Sequence, residues 1–208
     1  MTATTLPLDQ ARRRDGIKRA MDVATAGAGL VVLSPVFLLI AVLIRLDSRG
    51  PVFFRQERPG RWMKPFTVLK FRSMTVGSDA LKPEDFDALG YGPLQKQKVD
   101  PRVTRVGRVL RRSSLDELPQ LINVLRGEMS VVGPRPVLGY EWGPDELLAR
   151  SVVAPGITCL WQVSGRSDTT LEERLQLDMK YVESRSIWLD IKIILRTIPA
   201  VLFTKGAY

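Results

Sequence analysis

Apolar and polar positions follow different periods along this chain, and the longest apolar stretch comes first. From Val23 to Ile44 no residue is charged, a run long enough to cross a bilayer as a helix. Three readings compete for it. A cleaved signal peptide fits poorly, because the run is too long and Arg45, Leu46 and Asp47 follow it instead of a small-residue cleavage site. A buried core helix would be unusually apolar all round. A membrane helix fits best, and Ser34-Pro35 interrupts it at its centre. Pro35 cannot donate to the carbonyl of Val31 and clashes with it, while the Ser34 hydroxyl is placed to satisfy a freed group.

Charge at the two ends separates a spanning helix from a re-entrant one. Arg12, Arg13, Arg14, Lys18 and Arg19 flank the first end; Arg45, Arg49, Arg55, Arg58, Arg61 and Lys64 follow the second. A spanning helix carries its basic excess on one side only. Basic residues at both ends place both in the cytoplasm, with the helix turning back at Ser34-Pro35; a Pro-kinked spanning helix is the competing reading. The expected organisation is a flexible basic stretch over 1–16, a re-entrant helix over 17–46 and a catalytic domain over 47–208.

Beyond the apolar run the period changes to two. Val52 to Gln56 and Pro65 to Arg72 read as strands around the turn Arg58-Pro59-Gly60-Arg61. Alternation puts Phe66, Val68, Lys70 and Arg72 on one face. Residues 77–101 read as a surface loop. Arg102, Arg105, Arg108 and Arg111 then recur at three-residue spacing, either as a basic helical face or as an extended lead-in. Met129 to Val132 is a short strand before the rigid loop Gly133-Pro134-Arg135-Pro136, and Leu171 to Val182 is a helix holding Asp178 and Tyr181. Ile187, Ile191, Ile194, Ile198 and Val201 make a helical apolar stripe, suited to a core or to an interfacial amphipathic helix. The fold class expected is α+β: a helix-rich small domain with short strands, plus the re-entrant helix and interfacial helices.

The stretch from Arg111 to Gln120 carries the candidate chemistry. Ser114-Leu115-Asp116-Glu117 has the form of a capping box. Leu115, Leu118, Ile122 and Leu125 give the following helix an apolar face, and Asp116, Gln120 and Asn123 lie opposite. Gly127 is placed to end it in the left-handed conformation. Pro119 removes an N–H from the first turn, which predicts a distortion there. Paired carboxylates at a helix start are favoured by the helix dipole alone. Here Arg108, Arg111 and Arg112 precede them and Arg135 follows. Carboxylates for a hard metal and arginines for phosphate oxygens suit phosphoryl transfer.

Composition narrows the chemistry further. A formal net charge of +9 over 208 residues points to an anionic partner. Nucleic acid is not the expected one, because few aromatics lie near the arginine series and no reader motif is present. Histidine is absent, so catalysis falls to carboxylates, lysine, arginine or a bound metal. The single cysteine, Cys159, excludes an intrachain disulfide.

The motifs taken together resemble the bacterial sugar transferases, the monotopic phosphoglycosyl transferases. They are Ser34-Pro35, Lys70-Phe71-Arg72-Ser73-Met74, Ser114-Leu115-Asp116-Glu117-Leu118-Pro119-Gln120, Val132-Gly133-Pro134-Arg135-Pro136, Pro155-Gly156-Ile157-Thr158 and Gln162-Val163-Ser164-Gly165-Arg166, in the family's order. Cys159 stands where the family usually has Gly, and Ser167 where some members have Asn. The larger members carry further helices and a domain ahead of this core, which are not expected within these 208 residues.

The resemblance implies transfer of a sugar-1-phosphate from a nucleotide (UDP-type) sugar to polyprenyl (undecaprenyl) phosphate, with release of a nucleoside monophosphate. The setting it implies is the cytoplasmic face of the bacterial inner membrane, against membrane lipid. It makes Asp116 the covalent nucleophile and Glu117 the ligand of Mg2+. Lys70, Arg72, Arg112, Arg135 and Arg166 become candidates for phosphate charge, and Asp178 and Asp190 weaker candidates for substrate or metal contact. A non-catalytic membrane scaffold holding anionic lipid is the alternative from a different class. The oligomeric state stays open, a homodimer included.

Overall fold

The computed structural model describes residues 8–78, 100–139, 143–164 and 169–203. Two helices open the chain, α1 (Leu8–Val32) and α2 (Ser34–Asp47). They are bent by 61° at the break, and no single helix among the described residues is long and apolar enough to cross a membrane. The break has the local chemistry that Ser34-Pro35 predicts. The Ser34 hydroxyl donates to the Val31 carbonyl at 2.8 Å, the acceptor that Pro35 leaves without its helical N–H.

The expected boundary at residue 17 is not where the structure changes. Helix α1 starts at Leu8, and its first half belongs to the globular domain. Asp22 is buried and accepts from the Val131 N–H at 3.0 Å and from Lys18 at 3.0 Å. Arg19 donates to the carbonyls of Val124 and Leu125, where the C-terminal end of another helix accumulates negative partial charge. The exposed apolar surface therefore lies around the break, at Val31, Val32, Leu38, Leu39 and Leu43, and at Leu46 near the end of α2.

The domain that follows is α+β. A hairpin of β1 (Phe53–Pro59) and β2 (Pro65–Phe71) pairs Phe54 with Lys70 and Arg58 with Phe66. Helices α3 (Arg105–Arg112) and α4 (Gln120–Arg126) come next, then β3 (Ser130–Val132) and α5 (Pro144–Arg150). Strand β4 (Gly156–Thr158) pairs in parallel with β3. Helices α6 (Leu171–Ser184) and α7 (Ile187–Phe203) close the described chain. The arginine series is helical from Arg105 on, with Arg102 outside the helix and paired to Asp100. Most of the 77–101 loop lies outside the described residues.

Two apolar clusters hold these elements. The larger gathers Phe66, Val68, Val124, Met129, Val132, Tyr181 and Ile193. The smaller joins Ile40 and Ile44 of α2 to Phe71 and Leu110, with Leu115 and Leu118 packed against it. The C-terminal stripe is rotated from expectation. Ile193, outside the expected stripe, is buried, while Ile187, Ile191 and Ile194 of the stripe are half-buried and Ile198 is exposed.

The capping box at Ser114 does not form. Ser114 sits at φ 56°, ψ 17°, makes no capping bond and follows Ser113, the C-cap of α3. It serves as the left-handed residue that ends the preceding helix. Leu115–Glu117 is a single 3-10 turn, and α4 starts only after Pro119. A capping box does form elsewhere, at Thr170 and Glu173 of α6. The faces of the stretch are also inverted. Gln120 and Asn123 are almost fully buried, while Leu125 is 38% exposed. Gly127 ends α4 at φ 83° as expected.

Hydrogen bonds explain the inversion. Asn123 accepts from the Leu69 N–H at 3.0 Å and donates to the Thr67 carbonyl and to Glu128, each at 2.7 Å. It thereby closes the edge of β2 with a side chain in place of another strand. Asn123→Ala leaves the buried Leu69 N–H and the Thr67 carbonyl without this partner, which costs about 3 kcal/mol and lowers Tm by roughly 6–12 °C for a chain of this size. Leu125→Ala should move Tm by no more than about 2 °C, as a surface change does. Thermal unfolding of the two variants side by side checks the inverted face; equal losses would refute it.

Candidate active site

The 3-10 turn lifts both carboxylates inward. Leu115 and Leu118 on either side of it pack into the cluster with α2, which anchors the turn, and Asp116 and Glu117 are each 9% exposed. The two side chains meet different surroundings. Lys70 Nζ donates to Glu117 Oε1 at 2.9 Å, and Arg135 donates to Oε1 at 2.5 Å and to Oε2 at 3.4 Å. Among the described residues no donor is hydrogen-bonded to the Asp116 carboxylate.

Each cation is held by the fold. Lys70 stands on β2, one residue before the strand ends. Arg135 lies on the loop after β3, which runs unusually close to β4. A Cβ on Gly156 would stand 2.1 Å from the Gly133 nitrogen, so neither position has room for a side chain. Two arginines that the motifs did not single out clamp the loop's carbonyls. Arg58 donates to Pro136 O at 3.0 Å and Arg150 to Arg135 O at 3.0 Å. Arg150 also pairs with Asp178, both being buried. Arg58 sits in the predicted turn, a weak signal; nothing in the sequence marks Arg150.

These contacts set the ionisation of the pair. Burial pushes Glu117 up, but Arg135 and Lys70 outweigh it and hold its pKa well below the usual carboxylate range. Asp116 goes the other way. Burial and the neighbouring Glu117 charge raise its pKa, opposed by Lys70, Arg135 and Arg111. Asp178 is raised to about 6 by burial, despite Arg150. The Cys159 thiol is buried, donates to Gln162 and is pushed far up by burial, so it stays a neutral thiol.

The remaining candidates divide. Arg72 lines the same cavity as Asp116 but donates to the carbonyls of Ser48 and Arg49, tying the hairpin to the end of α2. Arg112 is exposed on the outer face of α3, and Arg111 is the member of that series whose charge acts on Asp116. Arg166 lies outside the described residues. Asp178 lines the same cavity as Glu117. Asp190 does not; it accepts from Tyr181 at 2.8 Å, lies 3.2 Å from Lys18, and helps bind α1 to α7. Ser34 and Pro35 form the break between α1 and α2. Trp161 and Arg174, to which the sequence assigned no role, face the cavity, with the Arg174 guanidinium 4.7 Å from the indole centroid.

The sequence pattern of the family described as bacterial sugar transferase matches residues 13–204. The chain belongs to that family. It is 44% identical over 201 residues to the exopolysaccharide production protein ExoY of Rhizobium meliloti (strain 1021), covering 92% of this chain and 88% of the relative. It is 43% identical over 201 residues to the UDP-glucose:undecaprenyl-phosphate glucose-1-phosphate transferase of Caulobacter vibrioides, covering 92% of this chain and 72% of that protein. Identity reaches 45% over 205 residues with the undecaprenyl-phosphate glucose phosphotransferase of Komagataeibacter xylinus, where the match takes 92% of this chain but 37% of the relative.

For a sugar transferase that uses Asp116 as an anion, the raised pKa fixes the direction of its pH dependence. The acid form dominates below the raised pKa, so activity falls at a pH above the ordinary carboxylate value of about 4. Arg135→Gln removes a cation that lowers the pKa of both carboxylates, and the acidic limb should then move to still higher pH. A pH–rate profile with saturating substrates measures both shifts; an unmoved limb in the variant would contradict the coupling of Arg135 to the pair.

Proposed function

We propose that this protein transfers a sugar-1-phosphate from a nucleotide diphosphate sugar to polyprenyl phosphate by way of a covalent intermediate on Asp116. The Caulobacter and Komagataeibacter relatives support the overall reaction, both being named for glucose phosphate transfer to undecaprenyl phosphate. One observation carries the assignment within the pair: Glu117 Oε1 is held by Lys70 and Arg135, leaving Oε2 with one long contact for a metal, whereas Asp116 is buried beside it without a hydrogen-bonding donor among the described residues. A nucleophile needs unengaged oxygen, and Asp116 is the carboxylate that has it.

In the first step an Asp116 oxygen attacks the sugar-bearing phosphorus. An acyl phosphate bond forms, the bridging P–O bond of the diphosphate breaks, and its electron pair leaves with the nucleoside monophosphate. In the second, an oxygen of the lipid phosphate attacks the same phosphorus and Asp116 departs as a free carboxylate. Neither nucleophile has to lose a proton at neutral pH, which accords with a chain that has no histidine. Lys70, Arg135 and Arg58 surround the phosphates with positive charge.

The donor set suits magnesium. Asp116 and Glu117 offer hard oxygens, and no cluster of three metal-ligating side chains occurs among the described residues. That is the pattern of an ion which takes one or two carboxylates and completes its shell with substrate phosphates. Glu117 would hold it. Bound there, magnesium supplies neutralisation of the charge that develops on the leaving nucleotide.

We further propose that α1 and α2 enter and leave the cytoplasmic face of the membrane around Ser34-Pro35. The support is the 61° bend, the exposed leucines and valines on both sides of it, and the basic residues at both ends. Thr5→Cys and Arg49→Cys, each made with Cys159→Ser, should both resist an impermeant thiol reagent in intact cells. Labelling of one and not the other would mean that the helix spans.

The covalent step has its own test. Enzyme and nucleotide sugar alone, without lipid acceptor, should release nucleoside monophosphate in a burst and gain the mass of one phosphosugar on the peptide holding Asp116. Asp116→Asn should abolish both. Glu117→Gln should retain the burst in part and recover with added magnesium. Direct attack by the lipid phosphate predicts no adduct and the same metal-dependent defect in both variants.

A further inference from the structure

Two cavities flank the carboxylate pair, and their walls have only Arg58 and Lys70 in common. The first, about 520 Å3, is lined by Glu117, Arg135, Trp161 and Arg174. The second, about 690 Å3, is lined by Asp116, Arg111, Gln56, Ser73 and Thr75, with Phe54 and Phe71 as apolar wall. Neighbouring residues of one turn thus open into different spaces. Both volumes fall in the range of small-molecule sites, about 300–1,000 Å3.

Both walls carry guanidinium groups, and they differ in what accompanies them. The Glu117 side presents an aromatic ring and guanidinium groups, which suit a base and an adjacent phosphate. The Asp116 side also carries guanidinium groups, from Arg55, Arg72, Arg102 and Arg111, and adds short polar side chains beside aromatic ones. The hydroxyls of Ser73 and Thr75 make no hydrogen bond among the described residues, and Gln56 is engaged through its carbonyl oxygen, which accepts from Arg58. Such groups suit the hydroxyls of a hexose.

The geometry points to a donor that lies across the pair, with its nucleoside in the 520 Å3 cavity, its diphosphate at the Lys70–Arg58 seam and its sugar in the 690 Å3 cavity. This rests on the sugar-phosphate transfer reading and goes beyond it by naming which cavity takes which half. In-line displacement agrees with that direction. The leaving nucleotide departs opposite the attacking oxygen, toward Glu117, while the phosphosugar stays on the side of Asp116. Sugar selectivity then belongs to the hairpin and the segment after it, and nucleotide affinity to the α6 side.

The arrangement predicts a double dissociation in the full-length protein. Trp161→Ala should weaken the binding of UMP, the probe for the nucleotide half, by about tenfold, as loss of base stacking does, and leave the ranking of donor sugars unchanged. Thr75→Trp, which fills the second cavity from an exposed position, should leave UMP affinity unchanged. It should depress acceptor-independent UMP release from UDP-sugars by about tenfold or more, comparable to losing one charge-assisted contact. Gln56→Ala, a milder change, should alter the ranking among UDP-glucose, UDP-galactose and their N-acetyl forms. UMP titration by calorimetry and single-turnover release give the two readouts. If Thr75→Trp weakens UMP as much as Trp161→Ala does, or if only Trp161→Ala changes the sugar ranking, the divided site is wrong. Should the unmodified protein bind UMP yet release none from any UDP-sugar, the transfer reading itself falls, and this proposal with it.

Discussion

The rest of the site depends on the ion-pair arrangement at Glu117. Two adjacent buried carboxylates repel each other, and the fold relieves that by giving both cations, Lys70 and Arg135, to one of them. Glu117 becomes firmly ionised, and Asp116 is left ionisable without a hydrogen-bonding donor among the described residues. A symmetric sharing of the two cations would have produced two equivalent, quenched carboxylates. The asymmetry is what gives two adjacent carboxylates different surroundings and opposite shifts in acidity.

That asymmetry is maintained by packing around a short turn. Leu115 and Leu118 fasten the turn to α2 and α3, while Val124 of the following helix sits in the main core. Asn123 locks the same stretch to β2, the strand that carries Lys70. Arg135 arrives from a different element, and its loop reaches the turn because Gly133 and Gly156 let two backbones pass close together. Arg58 and Arg150 then fix the loop's carbonyls. Cation and carboxylate positions are therefore coupled through main-chain contacts, and the side-chain geometry follows.

The N-terminal helix serves two purposes. Its first half is a structural member of the domain, with Lys18 and Asp22 reaching the end of β3 and Asp190 of α7. Past Ala26 it carries exposed apolar residues up to the 61° break at Ser34-Pro35. One rigid helix connects the two regions. The Leu115–Glu117 turn shares an apolar cluster with α2, so its position relative to that helix is set by packing and not by a flexible linker.

Much of this was legible in the order of residues. A proline forbids the helical hydrogen bond to Val31 wherever the chain goes, so the break could be read locally, as could Gly127, the hairpin, the helix from Leu171 and the Asp116-Glu117 pair. What the sequence misjudged was burial. Ser114 matched a capping box, yet it was needed to end the preceding helix, and Pro119 delayed the next one. Gln120 and Asn123 looked like a solvent face because they are polar. Asn123 is buried because hydrogen-bonding partners on β2 wait for it, Gln120 lines the site cavity, and periodicity carries no information about either. Arg72 and Arg135 are likewise the same residue type, each carried by a motif that offered it for phosphate charge. Only the tertiary structure sends one to main-chain carbonyls and the other to Glu117, because a guanidinium goes to whichever acceptors the surrounding backbone brings within its reach.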